Sequence, residues 1–146
     1  MTTIRESTAD ELPLFDMMEI EAGREFITGY DLAKHIETFN DPCVTYFSIE
    51  HQADLVGFII LAHPLDDDSV EFRRIVVTKK GEGIGQAAIK AMETFCRTQL
   101  NRKWIWLDVF EDNARARYLY QKLGFVQFDQ TAYEGRPLLY YEKWLS

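Results

Sequence analysis

Leu55–Ala62 is an eight-residue apolar run, and it constrains the fold more than any other segment. It is far too short to cross a bilayer, which takes about 20 residues. Its continuity suits a strand buried on both faces. Val44–His51 alternates before it, joined through Gln52-Ala53-Asp54 as a hairpin connection, and Val70–Thr78 reads as a strand beyond the polar turn His63–Ser69. Three consecutive strands with a buried centre need cover on both sides, and helical patterns lie on either side of them in the chain.

Thr8-Ala9-Asp10-Glu11 reads as a capping box opening the first helix. Leu12, Phe15, Met18 and Ile20 are expected on its inner face. Ala22–Tyr30, with two glycines, reads as a loop or a broken turn. Asp31 is placed to cap a second helix, with Leu32, Ile36 and Phe39 inward. Gly85–Leu100 is expected to be helical, Lys103–Phe110 a strand, and Ala114–Leu123 a helix that Gly124 ends in a left-handed cap. Phe125–Thr131 and Leu138–Trp144 read as final strands, and Thr2–Ser7 as the first. The expected class is α/β (α+β), with a mixed, mostly antiparallel sheet of about seven strands flanked by four helices, in the order β-α-α-β-β-β-α-β-α-β-β.

Length and composition restrict the function. The 146 residues suit one domain over 1–146. The formal net charge is −8, and the basic residues are scattered, so nucleic acid is an unsuitable partner. Cys43 and Cys96 form no CxxC and have no His cluster, which fits free thiols in a reducing compartment. The amino terminus has no apolar signal region, so a cytoplasmic protein with no membrane association is expected. His63 with Asp66, Asp67 and Asp68 reads as a solvated turn, and no metal site is expected.

Two segments carry chemistry. In Ile75-Val76-Val77-Thr78-Lys79-Lys80-Gly81-Glu82-Gly83-Ile84-Gly85, three glycines let backbone N–H groups approach a ligand closely. The helix that follows adds about half a positive charge at its N-terminus. This combination suits a pyrophosphate. It is neither a Walker loop nor a dinucleotide fingerprint, because the required Gly-Lys-Ser/Thr and βαβ context are missing. The second segment, Asn113 to Phe125, places Asn, a short helix, Gly and Phe after a strand.

Together these segments resemble the GNAT superfamily of N-acetyltransferases. Lys80-x-x-Gly83-x-Gly85 is similar to the first family motif, with Lys80 where Arg or Gln is usual. Asn113, Ala116, Leu119, Tyr120, Gly124 and Phe125 match the second at each named position. The resemblance implies acetyl-CoA as cosubstrate and acetyl transfer to a primary amine of a protein N-terminus, a lysine or a small molecule. It implies that Ile75, Val76 and Val77 pair with the pantetheine arm through their backbones. Lys80, Gly81, Glu82, Gly83, Ile84 and Gly85 would hold the pyrophosphate, with Asn113 contacting the cofactor arm or capping a helix. It puts Tyr120 in the proton-donor position.

An alkyl ammonium, with a pKa of about 10.4, must lose a proton before attack. Glu71 and Asp108, on neighbouring strands, are the candidate bases, directly or through water; some family members use neither. Strand alternation is expected to put 71, 73, 75 and 77 on one face. The acceptor side would be formed by Ala22–Tyr30 and Gln130–Pro137, offering Glu25, Phe26, Tyr30, Tyr133, Glu134 and Arg136. The alternative is a non-catalytic acyl-CoA-binding sensor on the same fold. A homodimer is also compatible with the resemblance, with Trp144 as a contributor.

Overall fold

The computed structural model describes residues 1–22 and 30–145. In chain order these form β1 (Thr2–Glu6), a 3₁₀ turn (Ala9–Glu11), α1 (Leu12–Ala22), α2 (Leu32–Phe39), β2 (Val44–His51), β3 (Asp54–Ala62), β4 (Ser69–Val77), α3 (Ile84–Thr98), β5 (Trp104–Phe110), α4 (Ala114–Lys122), β6 (Val126–Tyr133) and β7 (Arg136–Trp144). The expected element order is the observed one. The seven strands make one sheet in the order β1-β2-β3-β4-β5-β7-β6. Each neighbouring pair is antiparallel except β4 and β5, which run parallel. Among the described residues, no helix is long and apolar enough to cross a membrane.

The apolar run of β3 lies near the sheet centre and is buried from Val56 to Ala62. From Phe58 to Leu61 its odd and even residues enter different cores. Ile59 and Leu61 meet Ile89 and Met92 of α3 on one face, while Phe58 and Ile60 meet Leu12 and Phe15 of α1 on the other. Gly57 lets β4 approach: a Cβ there would stand 2.1 Å from the Val76 carbonyl oxygen.

The caps form at the expected residues. Asp31 accepts the Lys34 N–H at 2.8 Å, Asn113 accepts the Ala116 N–H at 3.3 Å, and Glu11 accepts the Thr8 N–H at 3.0 Å. The inner faces of α1 and α2 differ from expectation. Ile20, Leu32 and Ile36 are exposed, whereas Glu19, His35 and Thr38 are buried. The cause is a buried ion network, described below, that turns both helices. The last two strands are longer than expected. They meet through the two-residue turn Glu134-Gly135, whose residues have φ of 49° and 79°. Asp54 likewise belongs to β3, so the turn before it is Gln52-Ala53.

Candidate active site

The parallel seam between β4 and β5 is short. Pairing covers Ser69, Val70 and Glu71 of β4, opposite Trp104, Ile105 and Trp106 of β5, and then stops. The cause lies in β4. Leu61 of β3 pairs with Phe72 and Ile60 with Arg74, which leaves Arg73 as an extra residue in a β-bulge. A bulge bends its strand and re-aims its side chains. The two strands then diverge, and the edge of β4 beyond Glu71 faces a cleft.

The bulge also resets the faces. Val70 and Phe72 enter the core beneath α3, and Ile75 and Val77 pack against the same core. Val76 enters the opposite core. Residues 71, 73, 75 and 77 therefore do not share one face, because simple alternation fails at the extra residue. Backbone direction follows from one bond. The Thr78 N–H donates to the Val56 carbonyl at 2.8 Å. Antiparallel alternation then directs Val76 and Arg74 toward β3, and the backbone groups of Ile75 and Val77 toward the cleft. Val76 is buried, with its backbone committed to β3.

A cavity of about 400 Å³ runs from this edge to the start of α3, lined by Ile75, Val77, Lys80, Gly81, Gly83 and Gly85 among others. Gly83 is the N-cap of α3 at φ 70°, ψ 17°. Gly81 has φ 87°, and a Cβ at either glycine would meet no protein atom within 4 Å. The glycines therefore serve backbone shape and leave open space beside it. The first turn of α3 contains no acidic residue, so its N–H groups and dipole present an anion site. Ile84 is buried in the core. The Glu82 carboxylate pairs with Lys79 at 3.2 Å and lies 3.9 Å from His51 Nε2, and Glu82 is not part of the cavity wall.

A second cavity, of about 490 Å³, opens between β4 and β5 and is lined by Glu71, Arg73, Arg74, Asp108, Tyr30 and Tyr133, with further apolar residues. Ile75, Asn113, Ala116 and Tyr120 line both cavities. Tyr120 is thus at their junction. Its ring packs edge-on to Phe72, with centroids 6.0 Å apart. Burial first, and the negative charge of Asp108 second, push its phenol up to about 12.

Asp108 is an exposed residue of the cavity wall. Desolvation and the neighbouring Glu71 charge raise its carboxyl above the ordinary aspartate range, against the opposing pull of Arg74 and Arg73. Glu71 accepts bonds from Arg73 Nη2 at 3.1 Å and Nε at 3.3 Å, both on one oxygen. The structure therefore brings Tyr120, Asp108 and Glu71 to one cleft.

Arg74, also in the cavity wall, reaches toward α1. Its Nη1 donates to Glu19 Oε1 at 2.9 Å, and its guanidinium lies 4.0 Å from the centre of the Tyr30 ring. Glu19 Oε2 accepts the Tyr30 N–H at 3.2 Å. His35 Nε2 stands 3.0 Å from Glu19 Oε1, and His35 Nδ1 is 2.7 Å from the Tyr46 hydroxyl. Burial opposes the Glu19 charge, but these partners together hold its carboxyl below the usual range. Sequence reasoning missed this network, because Glu19 and His35 belong to no motif. It missed Phe110 and Leu138 of the cavity wall as well. Their position at the paired ends of β5 and β7 was the available signal.

Of the expected acceptor-side residues, Glu25 and Phe26 lie outside the described residues. Tyr30 and Tyr133 line the cavity; Glu134 does not. Arg136 lies 3.8 Å from the Phe110 ring centre and donates to Asp112 at 3.0 Å.

The split sheet has a helix N-terminus suited to an anion on one side of a tyrosine and carboxylates on the other. The chain belongs to the acetyltransferase (GNAT) family, whose model matches residues 10–125. It is 30% identical over 97 residues to a probable spermine N(1)-acetyltransferase of Bacillus subtilis subsp. natto (strain BEST195), covering 61% of this chain and 64% of that protein. A spermine/spermidine N(1)-acetyltransferase of Bacillus subtilis (strain 168) is 29% identical over the same length. The match thus spans just under two thirds of these relatives. In fold, the chain is similar to the spermidine N-acetyltransferase of Vibrio cholerae in complex with CoA and spermine, with a TM-score of 0.83 at 21% identity, covering 99% of this chain and 95% of that one. It is also similar to the ribosomal-protein-S18-alanine N-acetyltransferase of Escherichia coli, with a TM-score of 0.84 at 19% identity over 100% and 95% of the two chains.

Proposed function

We propose that this protein transfers the acetyl group of acetyl-CoA to a primary amine. The observation that carries the reading is the position of Tyr120, shared by the wall of the anion-binding cavity and the wall of the carboxylate-bearing one. Family membership over residues 10–125 supports it.

The residues present fit the cosubstrate. The N–H groups at the start of α3 and the ammonium of Lys80 suit its phosphates. The outward backbone groups of Ile75 and Val77 suit the amides of its arm as an added strand would. Asn113 lies where both cavities meet. Acetyl-CoA supplies an activated acetyl group.

The protein then has two proton tasks. Asp108, with its carboxyl raised by desolvation and by the Glu71 charge, accepts a proton from the acceptor ammonium. Proton affinity shifted toward neutrality suits a general base. Tyr120 Oη, kept protonated by its high pKa, donates to the departing sulfur, whose ordinary thiol pKa is about 8.5. Glu71 holds Arg73 and raises the proton affinity of Asp108. Its role is to tune that base.

The named relatives make spermine and spermidine acceptors to assay, alongside lysine and peptide N-termini. Calorimetric titration with acetyl-CoA, using ATP and NAD as controls, is the first test. Selective micromolar binding, followed by amine-dependent thiol release, is the expected result. Binding with no turnover of any amine would instead favour an acyl-CoA sensor. No binding to folded protein would remove the reading.

A further inference from the structure

The charges around the acceptor cavity alternate. Among the described residues its wall carries two carboxylates, Glu71 and Asp108, and two guanidiniums, Arg73 and Arg74. Arg74 is 5% exposed and its charge is matched by Glu19 behind the wall. Arg73, the extra residue of the bulge, is 32% exposed and shares one oxygen of Glu71. Asp108 is thus the wall carboxylate with no ion-pair partner among the described residues, and it is suited to one ammonium. A second ammonium a few carbons away would meet Arg73 beside Glu71, whose charge Arg73 already balances. A carboxylate there would find the planar guanidinium donor it matches. The remaining wall includes Tyr30, Phe110 and Tyr133, which suits an apolar or aromatic body.

We propose that the acceptor is a small amine bearing its own carboxylate, an α-amino acid with an apolar or aromatic side chain. Its amine faces Asp108 and its carboxylate faces Arg73. The proposal rests on the acetyl-transfer reading and names the substrate class of that cleft. In the step itself, the amine gives one proton to Asp108 and forms the new N–C bond to the acetyl carbon. The C–S bond breaks and the sulfur leaves as the thiol with the Tyr120 proton; the second nitrogen proton, lost as the amide forms, restores the Tyr120 phenol, and Asp108 gives its proton to solvent.

The test compares L-phenylalanine, L-phenylalaninamide, a Phe-Gly-Gly peptide and spermidine as acceptors, by thiol release and by calorimetric binding to CoA-loaded protein. Phenylalaninamide keeps the ring and the amine but loses the anion. Its amine is the less basic, so intrinsic reactivity near neutral pH favours the amide and works against the expected result. The amino acid is expected to exceed the amide, the peptide and spermidine by about tenfold or more in kcat/KM, the scale of a hydrogen bond to a charged group. Arg73→Gln should bring the acid-to-amide ratio to within about threefold, and Arg73→Lys should restore part of it. Spermidine, the peptide or the amide matching the amino acid would overturn the proposal, as would an unchanged ratio in folded Arg73→Gln. So would a CoA-loaded protein that binds none of the four. Failure to bind acetyl-CoA at all is a different result, and it removes the acetyl-transfer reading instead.

Discussion

Replacing Tyr120 by phenylalanine isolates the proposed proton donor with little structural disturbance. The ring is held by apolar contacts, edge-on to Phe72 at 6.0 Å and tilted against Phe125 at 5.9 Å. Phenylalanine keeps both. The residue is 9% exposed, and among the described residues its hydroxyl has no hydrogen-bond partner. No buried group is orphaned by its removal, so the stability change is expected to stay within about 1 kcal/mol. The neighbouring helix bond, from the Phe125 N–H to the Tyr120 carbonyl at 2.9 Å, involves backbone alone and is unaffected.

The chemical effect is much larger. A positioned general acid contributes on the order of 10²–10⁴ in rate, or about 3–5 kcal/mol of barrier at 1.36 kcal/mol per tenfold. The expected variant is therefore as stable as the parent, binds acetyl-CoA within about threefold, and turns over at least about a hundredfold more slowly. Thermal melting, calorimetry and thiol release measure the three quantities. The phenol is raised to about 12, so it stays protonated through the working range, and no alkaline limb below pH 10 should disappear with it. Turnover within threefold of the parent, in a variant with an unchanged melting temperature, refutes a chemical role for Tyr120.

Three other outcomes follow from the same geometry. Asp108 must be ionised to act as a base, so its raised carboxyl places the acidic limb of kcat/KM above the ordinary aspartate range. Glu71→Gln removes a negative neighbour and should move that limb to lower pH; a limb that stays in place argues against Asp108. Gly83→Asp puts a side chain on a residue at φ 70°, costing about 1–2 kcal/mol, and sets a negative charge at the helix N-terminus. Calorimetry should show acetyl-CoA binding weakened by about tenfold or more in a folded variant. The Glu11 carboxyl is lowered from 4.5 to about 2, chiefly by its bonds from Arg5 and against burial. Because the folded value is the lower, its stabilisation is complete above the unfolded pKa and is lost as pH falls from about 4.5 to 2. That loss is at most about 3 kcal/mol, less the solvent screening around Arg5. Glu11→Gln should be the less stable protein at pH 7, and denaturant melts should show the gap closing near pH 2.

Much of the sheet was legible because Leu55–Ala62 leaves few choices. A strand buried on both faces needs strand neighbours and helices above and below, and the flanking patterns supply them. The cofactor side was also legible, since Gly81, Gly83 and the start of α3 are adjacent in sequence and the local turn determines their geometry. The acceptor side joins residues from β4, β5, β7 and the segment before α2, and no local pattern records such a meeting. Tyr133 and Arg136 appeared as loop residues because strand propensity does not reveal a register that carries two strands to a two-residue turn.

The bulge at Arg73 accounts for the largest differences from expectation. One extra residue leaves no mark on composition or periodicity, yet every later side chain of the strand changes face. Unbroken alternation would put Arg74 with Val70 and Phe72 beneath α3, in an apolar core where the buried carboxylate of α3, Glu93, is already held by Lys143 at 2.6 Å. The bulge turns Arg74 toward α1 instead, and a guanidinium buried there requires a countercharge. Glu19 provides it, with His35 and the Tyr30 N–H completing the shell. Burying these polar groups rotates α1 and α2 so that Ile20, Leu32 and Ile36 face outward. The same bulge sends Arg73 toward Glu71 and opens the strands where Tyr120 enters. The exposed apolar residues of two helices and the charged lining of the cleft thus have a common origin in one unpaired residue.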